Sequence, residues 1–147
     1  MAILLLRSQL QAPANVQAQL AELQARIRPH FLFNALNSAI ALVRTDPDRA
    51  EAVLENLSDI FRHMLQDVRH SSTLEQELEL ARRYLAVEEV RFSERLRLQW
   101  DLDPAANLAS MPALILQPLL ENAIRHGVEP SAQGADILVR TALRGNM

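Results

Sequence analysis

The sequence predicts an α+β fold that is mostly helical, and three observations lead to this class. Alanine, leucine, arginine, glutamate and glutamine, which are all good helix formers, dominate the 147 residues. In the first part of the chain, apolar residues recur every three to four positions, which is the helical period. Near residue 96 the pattern changes to an alternation of apolar and polar residues, typical of a strand with one buried face.

The first expected element is a long helix over residues 15–44, on which one apolar face is formed by Leu20, Leu23 and Ile27. A second apolar row on this helix consists of Phe33, Leu36, Ile40 and Val43. Pro29 lies inside the stretch and removes one backbone hydrogen bond, so we expect a kink just before it. Residues 1–14 begin with a short apolar run and are expected to be a juxtamembrane or linker segment.

The second expected helix begins at Asp46 and Pro47, with aspartate as the N-cap and proline at the first helical position. Its wide apolar stripe consists of Ala50, Val53, Leu54, Leu57, Ile60, Phe61, Met64, Leu65 and Val68. Two helices joined by a short link form an antiparallel hairpin, which cannot cover a stripe of this width. Pairing of two hairpins would cover it, so the sequence predicts a homodimer with a four-helix bundle.

The third expected helix opens at Ser72 and Thr73, each of which matches a capping box, and runs to about residue 94. Its charged residues are interpreted as a solvated face on which arginines are balanced by Glu75, Glu77, Glu79, Glu88, Glu89 and Glu94.

The remaining chain is expected to contain two strands and one helix. The alternating strand carries Leu96, Leu98, Trp100 and Leu102. Residues 112–126 are predicted to form a helix, kinked at Pro118 and ended by Gly127 as a left-handed C-cap. Residues 137–143 are the second strand candidate. Because a stable sheet needs three or more strands, we expect this part to be truncated or to pair with other strands.

Composition excludes several kinds of site. The net charge of −3 gives no reason to expect a nucleic-acid partner. The absence of cysteine excludes thiol catalysis and cysteine-bound zinc. The three glycines (Gly127, Gly134 and Gly145) are well separated, so a glycine-rich phosphate loop is absent or incomplete.

His30 marks the first candidate site. The heptad positions of the first helix are Leu20, Leu23, Ile27, His30, Asn34, Asn37 and Ala41, so an apolar seam becomes polar at the histidine. Imidazole is nucleophilic at neutral pH, and Asn34, one turn on, could hydrogen-bond one ring nitrogen and leave the other free to attack. The alternative interpretation is a histidine on a solvated helix face.

Asn122 marks the second candidate site. Gln117 and Glu121 share one helix face by their spacing, as do Asn122 and His126. The amide oxygen of Asn122 is a suitable ligand for Mg²⁺, and Arg125 could contact phosphate oxygens. The alternative is an amphipathic helix whose cations simply face its C-terminus.

Residues 28–38 (RPHFLFNALNS) resemble the H-box of LytS/YehU-type sensor histidine kinases, whose hallmark is Pro-His-Phe-Leu-Phe-Asn. Residues 57–62 (LSDIFR) and 78–85 (LELARRYL), with Arg91 and Phe92 after them, are similar to later motifs of the family. Within the family, the sequence of these motifs is most similar to that of the AlgZ/FimS-like sensors. The resemblance implies that His30 takes the γ-phosphoryl group of ATP and passes it to an aspartate on a response regulator.

Residues 117–127 (QPLLENAIRHG) resemble the N-box of the GHKL-type ATP-binding fold. This implies that Asn122 coordinates Mg²⁺ on the ATP phosphates and that Glu121, Arg125 and His126 line the nucleotide site. The family's two further glycine boxes have no counterpart after Gly127, so we expect the chain to stop inside the ATP-binding domain and to be inactive alone.

The resulting hypothesis divides the chain into a linker (1–14), a helical dimerisation and histidine phosphotransfer region (15–94) and a partial ATP-binding α/β sandwich (95–147). ATP and Mg²⁺ are the implied cofactors. The implied partners are a second copy and a response regulator of the LytTR type, with no nucleic acid. The chain would be the cytoplasmic portion of a bacterial inner-membrane protein, attached through segments N-terminal to it. The alternative function is a non-catalytic helical module for dimerisation or docking.

Overall fold

The computed structural model of the chain describes residues 29–65 and 71–144. In chain order, its helices and strands are α1 (Pro29–Leu42), α2 (Pro47–Leu65), β1 (Ser72–Thr73), α3 (Leu74–Phe92), β2 (Leu96–Asp101), β3 (Ser110–Met111), α4 (Leu116–Ala123) and β4 (Ala135–Arg140). The α+β class with mostly helical content is confirmed. The segment expected at 1–14, the apolar face of Leu20, Leu23 and Ile27, and the kink expected before Pro29 lie outside the described residues.

Helices α1 and α2 form the expected hairpin. The Asp46 carboxylate accepts a hydrogen bond from the backbone N–H of Arg49 at 3.2 Å, which confirms the predicted N-cap. The buried residues of α1 recur every four positions and are Phe31, Ala35 and Ala39, and those of α2 are Ala50, Val53, Leu57, Ile60 and Met64. The second apolar row predicted on α1 is largely exposed instead, with Phe33 at 62% and Ile40 at 70%.

Helix α3 packs across this hairpin and covers part of its apolar stripe within the same chain. The ring centroids of Phe31 and Tyr84 lie 4.8 Å apart, and the carboxylate of Asp59 accepts a hydrogen bond from Arg83 at 2.7 Å. The capping box at the start of α3 is confirmed for Thr73 and Gln76, which exchange hydrogen bonds of 3.1 and 3.2 Å. One apolar core therefore runs through all three helices and continues into the strands and helix of residues 96–140, which we call the mixed part.

The prediction that the six glutamates of this stretch lie on a solvated face is wrong for two of them. Glu77 and Glu88 are buried, whereas the other four are exposed. The Glu77 carboxylate accepts a hydrogen bond from the backbone N–H of Leu114 at 3.1 Å, which fixes the loop that leads into α4. The cause lies in tertiary packing, because the mixed part covers this face of α3.

Strands β2 and β4 pair in parallel, from Leu96 opposite Ala135 to Asp101 opposite Arg140. The predicted alternation is confirmed: Leu96, Leu98 and Trp100 pack against the core, as do Ala135, Ile137 and Val139. The second strand begins and ends earlier than the predicted range of 137–143. A second, antiparallel pair is formed by β1 and β3. No helix in residues 29–65 or 71–144 is long and apolar enough to cross a membrane.

Helix α4 begins at Leu116 rather than at Pro112 and continues as a π-helical turn from Ile124 to Val128. Pro118 therefore lies in the first turn, where a backbone N–H has no partner within the helix, so it costs no intrahelical hydrogen bond. Gly127 lies inside the π-helical turn and is not a left-handed C-cap, so this prediction is wrong.

The left-handed glycine of this region is Gly134, with φ of 78°. Its Cα approaches the backbone of Arg95 so closely that a Cβ atom would overlap the Arg95 carbonyl group. The Arg95 guanidinium in turn donates hydrogen bonds to the carbonyls of Val128, Glu129 and Ser131, at 2.8 to 3.1 Å. Arg95 thus adds side-chain hydrogen bonds to carbonyls at and just beyond the end of the helix, two of which also accept backbone hydrogen bonds from Ser131 and Gly134.

Candidate functional site

A cavity of about 590 Å³ opens where α1, α3 and α4 with its π-helical turn meet. Its lining residues are Pro29, His30, Phe31, Asn34, Tyr84, Glu88, Arg91, Glu121, Ile124, Arg125 and Glu129. They come from both predicted site motifs and from α3, which carried no predicted site residue. A mainly polar lining of this kind suits a charged ligand better than an apolar one.

Helix α1 supplies His30 and Asn34, which are one turn apart. Phe31 is buried against the ring of Tyr84, and this packing fixes the rotation of α1 so that His30 borders the cavity. His30 itself is exposed and Asn34 is half-buried. Among the described residues no hydrogen bond joins the side chains of His30 and Asn34, so the predicted role of Asn34 in holding the ring stays a prediction.

Helix α4 supplies Glu121, and the π-helical turn supplies Arg125. The two residues are four apart, so they share one face and both line the cavity. The buried Gln117 side chain donates a hydrogen bond to the Glu121 carboxylate at 3.5 Å, as expected for residues on a shared face. Asn122 and His126 are exposed and do not line the cavity.

The structure therefore brings four of the six predicted site residues together: His30, Asn34, Glu121 and Arg125. Asn122 and His126 lie on another face of the same helix, which is consistent with their own four-residue spacing. The spacing predicted these two faces but could not show which of them turns towards His30.

Helix α3 supplies two residues that were not among the predicted site residues, Glu88 and Arg91. Glu88 is only 2% exposed, and its Oε1 atom has no hydrogen-bond partner in the described part of the chain. Arg91 forms an ion pair with Glu129 at 3.2 Å, just beyond the π-helical turn. A signal for Glu88 did exist, because it falls one helical turn after the apolar Tyr84 and Leu85 and thus interrupts an apolar row.

Burial raises the pKa of Glu88 from 4.5 to about 7. The Arg91 guanidinium lowers the pKa of this carboxyl, and the Glu129 and Glu121 carboxylates raise it. Burial is the largest of these influences, so the net shift of the pKa is upward. Glu88 therefore changes its protonation state near neutral pH, in the cavity that His30 borders.

The arrangement offers a nucleophile, two cations and three carboxyl groups around one space. The imidazole of His30 can attack an electrophile without prior activation. Arg91 and Arg125 are suited to anionic oxygens. No group of three or more histidine or acidic side chains within 29–65 and 71–144 is arranged to hold a metal ion by itself. A divalent ion held mainly by a ligand's phosphates, with one protein oxygen such as that of Asn122, fits this donor set.

The chain is similar to known proteins over most of its length. The histidine kinase family model matches residues 18–96. The chain is 37% identical over 139 residues to the sensor histidine kinase YpdA of Escherichia coli, covering 94% of this chain and 24% of that protein. It is 38% identical over 121 residues to the sensor protein LytS of Staphylococcus haemolyticus, covering 82% and 21%. With the sensor histidine kinase BtsS of Escherichia coli it shares 39% identity over 111 residues, covering 76% and 20%.

These coverages show that the chain spans about a quarter or less of the length of the curated relatives it matches. The match with the family model includes all of α1, α2 and α3 and ends at the first residue of β2. The longer alignments also extend over α4, so both candidate sites fall within the regions of similarity.

Proposed function

The chain belongs to the histidine kinase family, in its LytS-type branch, and from this premise we propose that it carries the phosphoacceptor and part of the ATP site of a sensor kinase. In this proposal His30 accepts the γ-phosphoryl group of ATP and then passes it to an aspartate of a response regulator. The main support for the proposal is the cavity that His30 lines together with Glu121 and Arg125. Its lining includes residues of the segment that resembles the H-box and of the segment that resembles the N-box.

The proposed transfer needs little covalent chemistry from the protein. One ring nitrogen of His30 attacks the γ-phosphorus, the bond between that phosphorus and the β–γ bridging oxygen breaks, and ADP leaves. Positioning and charge stabilisation supply most of the rate in phosphoryl transfer. Arg125 lies in the cavity as a cation for the phosphate oxygens, and Glu121 forms a polar wall held by Gln117.

Mg²⁺ is the proposed metal, with Asn122 as its protein ligand. The amide of Asn122 is exposed, follows Glu121 directly, and supplies the kind of hard oxygen that Mg²⁺ prefers. The ion would neutralise charge on the ATP phosphates. His126 shares the exposed face of Asn122 and is proposed to border the same nucleotide.

A homodimer is proposed on the basis of an exposed apolar face on the hairpin. We define the hairpin face as the exposed residues Phe33 and Ile40 of α1, Val43 in the turn that follows α1, and Leu54 and Leu65 of α2. Phe33 and Ile40 are seven positions apart, the spacing of a helical seam that packs against another helix. Apolar side chains clustered on adjacent helices mark interaction surfaces in soluble proteins. The hairpin of a second copy would cover this face and complete a four-helix bundle.

The remaining parts of the proposal are inferred from membership of the histidine kinase family. The receiver of the phosphoryl group is proposed to be a response regulator of the LytTR type. The chain is proposed to belong to the cytoplasmic portion of an inner-membrane sensor, attached through segments that precede it.

The test compares phosphorylation of the complete gene product with that of its His30→Ala variant. Incubation with radiolabelled ATP and Mg²⁺ should yield phosphate that is labile in acid and stable in base, as expected for a phosphorus–nitrogen bond. His63→Ala is the matched control, because His63 lies on α2 outside the cavity. Equal labelling of wild type and His30→Ala would refute the proposal and favour the non-catalytic docking module.

A further inference from the structure

We propose that Glu88 accepts the ring proton of His30 when the imidazole is phosphorylated. This assignment rests on the phosphoacceptor role proposed above. Glu88 on α3 and His30 on α1 border the same cavity, and the two helices pack against each other through Phe31 and Tyr84. The neighbours of His30 along α1 provide no carboxylate, since the adjoining lining residues are Pro29, Phe31 and Asn34.

The three carboxyl groups that line the cavity differ in their hydrogen-bond and ion-pair partners. Glu129 forms an ion pair with Arg91 at 3.2 Å, and Glu121 accepts a hydrogen bond from Gln117 at 3.5 Å. Glu88 is buried, yet its Oε1 atom has no hydrogen-bond partner among the described residues. An unsatisfied buried carboxylate oxygen is costly, and such groups in native proteins commonly serve a function. Glu88 is therefore the carboxyl group with an oxygen atom available to bind a proton.

The electrostatic surroundings of Glu88 suit a proton acceptor. Burial raises the pKa of Glu88, Arg91 on its own helix lowers it, and the Glu129 and Glu121 carboxylates raise it, so that it lies at about 7. His30, Tyr84 and Arg125 are the other ionisable groups that line the cavity. A base is most effective when its pKa lies near the working pH, because it is then ionised in a large fraction of molecules yet still binds a proton well.

The proposed step transfers one phosphoryl group to His30 and one proton to Glu88. The neutral imidazole carries one proton, on the ring nitrogen that does not attack. As the other nitrogen bonds to the γ-phosphorus and ADP departs, positive charge builds up on the ring. The ring proton then moves to the ionised Glu88, which leaves a neutral phosphohistidine and a neutral carboxyl group. Glu88 lines the cavity, through which this proton passes to water before the next turnover.

A different role for the same carboxylate is ligation of the divalent ion that accompanies ATP. The two roles predict different effects of pH and of Mg²⁺ concentration on the phosphorylation rate. A proton acceptor makes the rate rise with pH through the pKa of Glu88. A metal ligand instead changes the concentration of Mg²⁺ needed for half-maximal rate.

The test measures the initial rate of His30 phosphorylation from pH 5.5 to 8.5 in the complete gene product, for wild type, Glu88→Gln and Glu88→Asp. We expect the wild-type rate to rise with pH around 7. Glu88→Gln should lower the rate at pH 8 by about a hundredfold, flatten the rise and leave the KM for ATP unchanged. Glu88→Asp keeps a carboxylate on a shorter side chain and should restore a rise with pH at a reduced rate.

Glu89→Gln is the matched control, because Glu89 is the next residue on α3 and is exposed. Glutamine is isosteric with the neutral carboxyl that burial favours, so Glu88→Gln should fold, which a thermal melt verifies. A Glu88→Gln variant with wild-type rate and pH profile would overturn this proposal while leaving His30 as the acceptor. An unchanged pH profile with a raised Mg²⁺ requirement would also overturn it, in favour of metal ligation. Loss of labelling on His30 in the wild type itself would instead refute the proposed function.

Discussion

His30 and Arg125 line the same cavity, although they come from opposite ends of the described chain. His30 lies on α1, in the segment that resembles the H-box, and Arg125 lies on the π-helical turn after α4, in the segment that resembles the N-box. Helix α3 makes this possible, because one of its faces packs against the hairpin and another against the mixed part. The histidine proposed as phosphoacceptor and the arginine proposed to contact phosphate thus border one cavity.

Replacing Arg125 should slow phosphorylation of His30 without unfolding the protein. Arg125→Gln removes a cation that we place on the phosphate oxygens, and we expect a loss of about tenfold to a hundredfold in the initial rate. Arg49→Gln is the matched control, since Arg49 is an exposed arginine on α2 outside the cavity. Equal rates for the two variants would remove Arg125 from the proposed site.

Replacing Glu88 should change how stability depends on pH. Below about pH 4.5 Glu88 holds its proton in both the folded and the unfolded chain. Between 4.5 and about 7 the unfolded chain releases this proton while the folded chain keeps it, so stability falls as pH rises. The loss amounts to about 3 kcal/mol and is complete above about pH 7.

This stability effect is measured by urea unfolding at several pH values. Glu88→Gln should be more stable than wild type at pH 8 by up to that amount, and the advantage should vanish at pH 4. Glu89→Gln, on the exposed face of the same helix, should follow the wild type throughout. A constant difference between Glu88→Gln and wild type at all pH values would show that Glu88 does not titrate in this range.

Placing a charge on the hairpin face should dissociate the proposed dimer. Ile40→Glu puts a carboxylate in the middle of this face, where it would be buried without a partner in the four-helix bundle. Sedimentation equilibrium should show a dimer for wild type and a monomer for the variant. Leu108→Glu is the control, because Leu108 is 82% exposed and lies in a loop away from the hairpin. A monomeric wild type at micromolar concentration would contradict the proposed interface.

Replacing Gly134 by alanine should destabilise the fold far more than the same change at Gly127. At Gly134 the positive φ and the overlap with the Arg95 carbonyl both oppose a side chain, and we expect a loss of about 2–4 kcal/mol in the free energy of unfolding. At Gly127 the added Cβ would only reach ordinary contact, 3.8 Å from the Cβ of Ala135. Chemical denaturation of the two variants measures the difference, and similar stabilities would disprove the account of Gly134.

The features that the sequence predicted well are those fixed by neighbouring residues. The N-cap at Asp46 and the capping box of Thr73 with Gln76 depend on side chains within three positions, and both are present. The alternation in β2 likewise follows from the local apolar pattern. The helical period of α1 was correct, but its most apolar row proved to be exposed, because burial depends on which neighbours cover the helix.

The features that the sequence missed are set by tertiary contacts. Glu88 lies where α1, α3 and α4 meet around the cavity, and its position in an apolar row of α3 indicated its burial but not which elements lie beside it. Gly134 adopts its left-handed conformation because the Arg95 backbone lies against it, and Gly127 looked equally suitable in sequence. The N-box residues were predicted as a set, yet only the packing of α4 decides that Glu121 and Arg125 face His30.

The proposal that His30 is the phosphoacceptor is tested most directly by locating the phosphoryl group after incubation of the complete gene product with ATP and Mg²⁺. Mass spectrometry of peptides kept at neutral or alkaline pH preserves a phosphorus–nitrogen bond. The account predicts phosphate on the peptide that contains His30 and none on this peptide in the His30→Ala variant. Phosphate on His63, His126 or the hydroxyl of Ser38, with His30 unmodified, would contradict it.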